Sequence, residues 1–508
     1  MGDWIYRNRL TLLLTCITVY YLLQVSNGLW VDDFWDHSAA VSALMRDLIH
    51  PRHAQLAIDQ PFVFFTPYSL MVACVARAVG LSSIEALALF GLLNGALLVY
   101  GLRRYIRAMG VEDEQSTLFY GIVCILFLWG AGRWDYSGFF HVGMLKFILP
   151  YPSAFASALA LLGLALTRSA AASRFSIHLL ALLAILIIVM LTHPVAFVFM
   201  VVGLFADATT RPRGRGEAIL MAVILILAAV AISLLWPYYP FIRLSLGAAN
   251  VYHASNSAMY ANLFSATWPV IVLLPFTGRL LVDARNRTMV VTAIMLLGLY
   301  FAAGIVHKYS FGRVISYAML LAQLVIAQRI VQWDRLVFAQ PAARRYGPPL
   351  IALTLCVLWM GAIHGAVTRA LTAGNSLVHG RPVLHRMTFG HLDFLSDKIE
   401  PGSVVIANLD TSWIIPTFGA KIVALLHPHA FVPDLDQRLT DLATFFDRGT
   451  REDARDRIVA DYRARFLLLS KTRDSAWQEI LAQFTRDGRG NVVYETAEVV
   501  LIGLPLAR

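Results

Sequence analysis

Long runs of apolar residues, separated by short polar and charged segments, dominate the first two thirds of the chain. Runs of about 20 apolar residues are typical of helices that cross the hydrocarbon core of a bilayer. The pattern therefore predicts an α-helical polytopic membrane protein. The predicted transmembrane helices are approximately 10–29, 84–102, 116–132, 147–167, 175–194, 195–210, 218–237, 261–278, 288–306, 314–331 and 348–367.

A further apolar stretch, 61–80, determines on which side of the membrane every later segment lies. Cytoplasmic loops of membrane proteins carry more Lys and Arg residues than external loops do. In this chain the predicted cytoplasmic loops hold about twice as many of these residues as the external loops, but only if 61–80 does not span. The charge pattern thus predicts eleven spans, with 61–80 as a helix along the outer surface. The N-terminus, with Arg7 and Arg9 before a retained first span, is expected in the cytoplasm, and the C-terminus outside.

Composition excludes several classes of protein. Of the 508 residues, 58% are hydrophobic and 15% are charged, against roughly 25% charged in soluble domains. This excludes a soluble globular protein, a disordered chain and a small disulfide scaffold. The net charge is +10, but the basic residues lie at the ends of apolar runs and form no stripe with aromatics. We therefore expect membrane lipids, and no nucleic acid, as partners.

After residue 367 charged residues become frequent and the long apolar runs end. Short β-like runs alternate there with helical stretches, which is typical of a small α/β domain. The predicted strands are 404–407, 466–469, 491–494 and 499–502, and the predicted helices include 451–463 and 474–485. The sequence therefore predicts a transmembrane domain, 1–367, with a first external loop at 30–83, and a C-terminal extracytoplasmic α/β domain, 368–508.

The first external loop opens with the sequence WVDDFWDH at 30–37, which contains Asp32, Asp33, Asp36 and His37. Adjacent carboxylates at a membrane surface are costly unless they are solvated, paired or bound to a metal. One carboxylate could be a general base toward a hydroxyl nucleophile. The pair could also hold a divalent cation beside a phosphate, or it could be only a solvated acidic cap.

Short motifs follow one another along the chain at 30–37, 50–53, 59–61, 65–68, 146–152, 192–194, 236–240, 410–416, 418–419, 427–429 and Arg438. Their order resembles that of the GT-C superfamily of integral-membrane glycosyltransferases. These enzymes are similar in having an acidic pair just after the first span, a large first external loop with surface helices, and a soluble C-terminal domain.

The resemblance implies a catalytic carboxylate within the acidic pair. We assign it to Asp33 from its place in the pair, with Asp32 as the alternative. Asp36, His37 and His53 are implied as helpers. Some members of the superfamily hold a divalent cation at this place and others do not, so the resemblance leaves a metal at Asp32 and Asp33 open.

A polyprenyl-phosphate donor, which the resemblance implies, needs a cation at the outer membrane surface. Arg suits phosphate through paired donors, and Lys acts as a point charge. The densest external cluster near the spans lies at 307–313, so Arg313 and Lys308 are predicted phosphate ligands, together with Lys146. The alternative is that these cations contact only lipid headgroups.

The predicted activity is inverting transfer of a hexose or pentose from a polyprenyl-phosphate donor to a glycan, lipid or protein acceptor. The resemblance places it at the outer face of a bacterial inner membrane. A transporter or flippase of lipid-linked glycans is an alternative, but it would carry charges within its spans. A ligase or polymerase is another, which would need several Arg residues in one long late external loop.

Overall fold

The structure, a computed structural model, describes residues 2–28, 30–170, 177–252, 256–338 and 392–505. These residues form two compact units. The helical unit contains the described residues of 1–27, 88–235 and 252–338, and the sheet unit contains those of 28–87, 236–251 and 392–505.

Helices make up most of the described residues before residue 338. The α-helices are Gly2–Asn27, Phe34–Arg46, Pro67–Val79, Ser83–Ala108, Glu114–Phe127, Val142–Ile148, Pro152–Ala170, Ile177–Thr192, Pro194–Thr210, Arg215–Ser233, Phe241–Leu246, Ala258–Ala261, Leu263–Leu273, Arg279–Val282, Arg287–Ile305 and Ile315–Phe338. Short 3-10 helices lie at Ala248–Tyr252, Leu274–Thr277 and Tyr309–Val314.

Five helices in the described part of the chain are long and apolar enough to cross a membrane, or six if one bent pair is a single span. Shorter apolar helices occupy most of the other predicted spans. The helical membrane class is therefore confirmed, whereas the number of eleven spans stays a prediction. The last predicted span, 348–367, lies outside the described residues.

Prolines interrupt two of the predicted spans. The helix expected at 147–167 is instead a pair, Val142–Ile148 and Pro152–Arg168, bent by 100°. Proline has no amide hydrogen and its ring clashes with the preceding turn, so it is favoured in the first turn of a helix and disfavoured in the interior. For the same reason Pro275 opens a 3-10 helix, Leu274–Thr277, at the end of the span predicted at 261–278.

The apolar stretch 61–80 contains a helix of 13 residues, Pro67–Val79. Its length of about 20 Å is less than the roughly 30 Å of a hydrocarbon core. Thr66 caps the helix through a reciprocal capping box with Ser69, and Gly80 ends it in the left-handed conformation. Local sequence thus sets both ends of this helix within the sheet unit.

The C-terminal part forms a five-stranded sheet. Its strands are β1 (Val404–Ala407), β2 (Lys421–Ile422), β3 (Ala464–Ser470), β4 (Asn491–Glu495) and β5 (Val499–Gly503), in the order β2-β1-β3-β5-β4. β1 is parallel to β2 and β3, whereas β5 is antiparallel to β3 and β4. The helices of this part are Leu395–Lys398, Leu409–Ser412, Leu435–Phe446, Glu452–Asp461 and Trp477–Thr485, with 3-10 helices Ile415–Phe418 and Arg486–Gly488. The predicted small α/β domain is confirmed.

Alternate residues of the strands enter two cores, because successive side chains of a strand point to opposite faces. Val404 and Ile406 pack on one face with the three long helices of this part. Val405 and Ala407 pack on the other face, where Leu56 of the first loop is fully buried among them. The first loop therefore supplies part of the apolar cover of the sheet.

The sequence groups the first loop, 30–83, with the transmembrane domain. In the structure the contacts of 28–87 lie with those of 392–505 in the sheet unit, together with 236–251. Burial of apolar side chains such as Leu56 on the sheet explains this grouping. The sequence boundary at 367–368 lies outside the described residues.

Candidate active site

The acidic pair precedes a buried helix of the sheet unit. This loop helix, Phe34–Arg46, begins directly after Asp33, which occupies the N-cap position. Asp32 is exposed and Asp33 is half-buried. The backbone of Asp32 has a φ of 55°, a left-handed conformation that is uncommon for residues other than glycine. The turn places two neighbouring carboxylates in different surroundings.

Aromatic packing holds the turn around Asp32. The rings of Trp30 and Phe34 stack with their centroids 4.3 Å apart, and each side chain is only 1% exposed. The amide of Trp35 donates to the carbonyl oxygen of Asp32 over 3.2 Å. An uncommon backbone conformation persists only where its surroundings determine it, and such positions cluster at functional sites.

Asp36 lies in the first turn of the loop helix, and its carboxylate is buried within the sheet unit. Its Oδ1 accepts hydrogen bonds from Gln55 Nε2 at 2.6 Å and Trp413 Nε1 at 2.9 Å. Nε2 of His429 lies 3.8 Å from Oδ2. Burial raises the pKa of Asp36, but His429 and the two donors outweigh this effect and hold the pKa below its usual value.

His37 and His53, predicted as helpers, are buried against phenylalanine rings. His37 lies 5.1 Å from Phe64 and His53 lies 4.7 Å from Phe62, measured between ring centroids. Burial lowers the pKa of His37 to about 4, and it lowers the pKa of His53 well below its usual value. Both imidazoles are therefore neutral near pH 7 and belong to the interior of the sheet unit.

Lys421 anchors the first loop to the sheet. Its Nζ donates to the carbonyl oxygens of His53 at 2.5 Å and Ala54 at 3.1 Å. The amide of Ile422 donates to the carbonyl oxygen of Gln55 over 2.8 Å. Burial lowers the pKa of Lys421 to about 7, so solvent exclusion, rather than charge, dominates its environment.

Arg313 is half-buried in the helical unit, at the end of the 3-10 helix Tyr309–Val314. Its Nε donates to Asn256 Oδ1 at 2.8 Å, and Nη1 donates to Ser137 Oγ at 3.2 Å. The guanidinium lies 5.1 Å from the ring centroid of Tyr136. These contacts orient a planar cation, which is the group best suited to bind phosphate through paired donors.

The other two predicted phosphate ligands occupy different surroundings in the helical unit. Lys308 is exposed at the N-cap of the same 3-10 helix. Lys146 is only 1% exposed, donates to Gln24 Oε1 at 3.1 Å and lies 4.1 Å from the ring centroid of Phe147. Donor binding by Lys146 would thus require the phosphate to reach a buried ammonium group.

The described residues contain no group of three or more His, Cys, Asp and Glu side chains with the geometry of a metal site. A divalent cation at the acidic pair would have carboxylate oxygens from Asp32 and Asp33. Such cations take six or more oxygen ligands, so water and the donor phosphate would have to supply the others.

Sequence reasoning did not identify the partners of Asp36. Trp413 is 377 positions away along the chain. His429 belongs to the short motif 427–429, to which the sequence assigned no role. His429 is 4% exposed and lies beside the carboxylate. Gln55 and Lys421 carry no local signal either, because their roles depend on docking of the first loop against β2.

Comparisons with known proteins rest on structure alone. No protein-family model matches the sequence, and no curated protein sequence matches it significantly. Among solved structures, ArnT from Cupriavidus metallidurans in the apo state is similar, with 13% identity and a TM-score of 0.52. The similarity covers 98% of this chain and 97% of ArnT.

Two further structures have similar folds. The archaeal oligosaccharyltransferase AglB from Archaeoglobus fulgidus, in complex with an inhibitory peptide and a dolichol-phosphate, is 9% identical with a TM-score of 0.53. The similarity covers 92% of this chain and 70% of AglB. The mycobacterial arabinofuranosyltransferase AftD is 12% identical with a TM-score of 0.51, and the coverage is 94% of this chain and 40% of AftD.

Proposed function

We propose that this chain, whose fold is that of the GT-C membrane glycosyltransferases, transfers a sugar from a polyprenyl-phosphate donor to a hydroxyl group of a glycan, lipid or protein. One observation carries the proposal. Asp33 is held at the N-cap of a buried helix, next to the left-handed Asp32. A backbone that is anchored in a rigid element limits the positions that its carboxylate can take, as a general base requires.

In the proposed reaction Asp33 takes the proton of the acceptor hydroxyl. The acceptor oxygen forms a bond to the anomeric carbon while the bond from that carbon to the phosphate oxygen breaks, with inversion of configuration. The polyprenyl phosphate leaves as a stabilised anion, so the step needs no general acid. It therefore needs one carboxylate, unlike glycoside hydrolysis, which uses two. A divalent cation, where present, would stabilise the departing phosphate.

Arg313 is proposed to bind that phosphate. A guanidinium oriented by Asn256, Ser137 and Tyr136 can form charge-assisted hydrogen bonds, which are about twice as strong as neutral ones. Stabilising charge that develops on the leaving group lowers the barrier to transfer. Lys308 and Lys146 remain proposed as weaker contributors to donor binding.

The test uses purified protein reconstituted in liposomes with polyprenyl phosphates that carry different radiolabelled sugars. A cell-envelope extract supplies the acceptor. We expect one donor to be consumed, with release of polyprenyl phosphate and appearance of label in the acceptor fraction. The coupling constant of the anomeric proton, measured by NMR, gives the configuration of the product.

Three results would contradict the proposal. Movement of the labelled donor across the bilayer without its consumption would indicate a flippase. Transfer that continues at the wild-type rate in both Asp32→Asn and Asp33→Asn would leave the acidic pair a polar cap. Retention of the donor's anomeric configuration would reject direct displacement by the acceptor.

A further inference from the structure

We propose that Trp413 and Gln55 are positioning residues for the acidic pair. Trp413 holds Asp36 from the C-terminal part of the sheet unit, and Gln55 holds it from the first loop. Together they fix the first turn of the loop helix and thus the backbone that carries the carboxylate of Asp33. This inference rests on the proposed function of Asp33.

The connection begins with helix geometry. Asp36 follows Asp33 by three positions, which is nearly one turn of an α-helix. The amide of His37 donates to the carbonyl oxygen of Asp33 over 3.0 Å, so the backbone at Asp33 belongs to the same turn. The Asp36 carboxylate is 2% exposed and accepts from two donors through a single oxygen, Oδ1. Displacing Asp36 therefore displaces the N-terminus of the helix.

Gln55 connects Asp36 to the edge of the sheet. Its side-chain amide donates to Asp36, and its backbone carbonyl accepts from the amide of Ile422 in β2. The neighbouring Leu56 forms a parallel bridge with Ile422 and is fully buried. Gln55 is thus held on both sides, which restricts the position of the carboxylate that it contacts.

Trp413 connects Asp36 to the end of β1. The short helix Leu409–Ser412 follows that strand, capped by the side chain of Asn408, which accepts from the amide of Thr411 over 2.9 Å. Ser412 Oγ donates to the carbonyl oxygen of Ala407, the last residue of β1, over 2.8 Å. Trp413 comes directly after this anchored turn, and its ring also contacts His427 at 4.8 Å.

Loss of either donor should displace Asp36, because a buried carboxylate that lacks hydrogen-bond donors is energetically costly. Removing one partner from a buried, hydrogen-bonded charge leaves the full desolvation penalty of that charge. The first turn would then shift to hydrate Asp36. A displacement of about 1 Å at a reacting group can reduce the rate by a factor of about 100.

The experiment compares Trp413→Phe with Trp477→Phe in full-length protein supplied with the polyprenyl-phosphate donor that the wild-type protein uses. Both tryptophans are half-buried in the same C-terminal part. Trp477 packs against the core that contains Val404 and Ile406, whereas Trp413 donates to Asp36. We expect Trp413→Phe to lower kcat by about 10-fold to 100-fold, with little change in the KM for donor. Trp477→Phe should retain kcat.

A second comparison separates positioning from general loss of structure. In an Asp33→Asn background, Trp413→Phe should cause little further loss of kcat, because residues that act as a unit are not additive. If Trp413 has only a structural role, Trp413→Phe should lower kcat by the same factor in the wild-type and the Asp33→Asn backgrounds. That result would overturn the inference. Gln55→Met is measured in parallel, because it keeps the shape of the side chain and removes the hydrogen-bond donor. If Trp413→Phe does not fold, the comparison is made with Gln55→Met instead.

The failures of the two proposals are distinguishable. If Asp33→Asn loses transfer while Trp413→Phe and Gln55→Met match Trp477→Phe, the positioning role is wrong and the proposed function stands. If the wild-type protein consumes no donor, or Asp33→Asn retains the wild-type rate, the proposed function fails and the positioning role fails with it.

Discussion

Two neighbouring aspartates of the same first loop differ in their surroundings, and the difference begins with one backbone angle. The left-handed φ of Asp32 turns the chain so that Asp33 becomes the N-cap of the loop helix. Asp32 stays exposed, whereas Asp33 is half-buried. The assignment of the base to Asp33 stays a prediction, which rests on the place of its backbone at the N-cap of a buried helix.

Asp33→Asn should slow sugar transfer by roughly 10²–10⁴-fold, the usual contribution of general base catalysis. The substitution keeps the size of the side chain and removes the charge. Asp32→Asn should have an intermediate effect, or an equal one if the pair acts as a unit. The measurement is the rate of labelled-sugar transfer by folded, monodisperse variants.

Asp47→Asn is the matched control. Asp47 is an exposed residue at the other end of the loop helix, where its Oδ1 accepts from the amides of Ile49 and His50, each over 3.0 Å. Asparagine can accept the same bonds, so transfer should be retained. Equal losses in Asp47→Asn and Asp33→Asn would indicate a general effect of charge in the loop.

Arg313→Ala should reduce kcat/KM for the donor more than Arg243→Ala does. Loss of a hydrogen bond to a charged group costs about 1.5–3 kcal/mol. Arg243 is the control because it is an exposed Arg in the short helix Phe241–Leu246, 5.5 Å from the ring centroid of Phe431. Small and equal effects at both positions would make Arg313 a headgroup contact.

At the level of elements, the loop helix shows how packing determines local structure. It has 13 residues, and all side chains from Phe34 to Leu44 are buried. Isolated helices of this length are marginal in water, so the helix depends on the elements packed around it. The polar members of this buried set, including Asp36 and His37, therefore depend on the same packing.

That dependence predicts a loss of stability in acid. Burial lowers the pKa of His37 to about 4, against about 6.5 in an unfolded chain. Between these values the unfolded state binds more protons, so the free energy of unfolding decreases as the pH falls through this window. We expect a decrease on the order of 2 kcal/mol from this residue between about pH 7.5 and pH 5.

The measurement is the thermal midpoint of detergent-solubilised protein as a function of pH. His37→Gln should reduce the acid-induced decrease of the midpoint. His50→Gln, a change at an exposed histidine of the same loop, should leave it as in the wild type. An identical pH dependence in all three proteins would mean that protonation of His37 does not limit stability.

At the level of the whole molecule, the segments that make up the sheet unit limit the ways in which the chain can be threaded through the membrane. The segments 28–87, 236–251 and 392–505 belong to one unit that is built around an open β-sheet. Open sheet edges do not occur in the hydrocarbon region, so we expect these segments on one side of the membrane. The helix Pro67–Val79 lies inside the first of these segments, which argues against a span there. Six of the predicted spans lie between residues 84 and 237. An even number of spans returns the chain to the side of the membrane from which it started.

We therefore predict that the sheet unit is extracytoplasmic, on the side opposite the Arg-rich loops. A reporter enzyme that is active only in the cytoplasm, fused after Arg508, should be silent. A reporter that is active only outside should give a strong signal at the same position. The reverse pattern would reject the predicted orientation of the whole chain.

The sequence by itself determined the class of the protein and most of its elements. Apolar runs predicted the membrane helices, and the strands at Val404–Ala407, Ala464–Ser470, Asn491–Glu495 and Val499–Gly503 overlap the predicted ones. These features depend on local hydrophobicity and periodicity, which a single chain displays directly. The order of short motifs implied the fold of the GT-C superfamily, and the fold of the chain is similar to those of ArnT, AglB and AftD.

Only the tertiary structure decided which segments pack together. The two-residue strand β2 exists because it pairs with β1 and with the bridge at Leu56, and no local pattern predicts it. The break of one predicted span by 100° also needed the structure. The burial of Asp36 with Gln55, Trp413 and His429 joins residues from distant parts of the chain. Such contacts follow from the burial of the first loop on the sheet, and this burial leaves no periodic signal in the sequence.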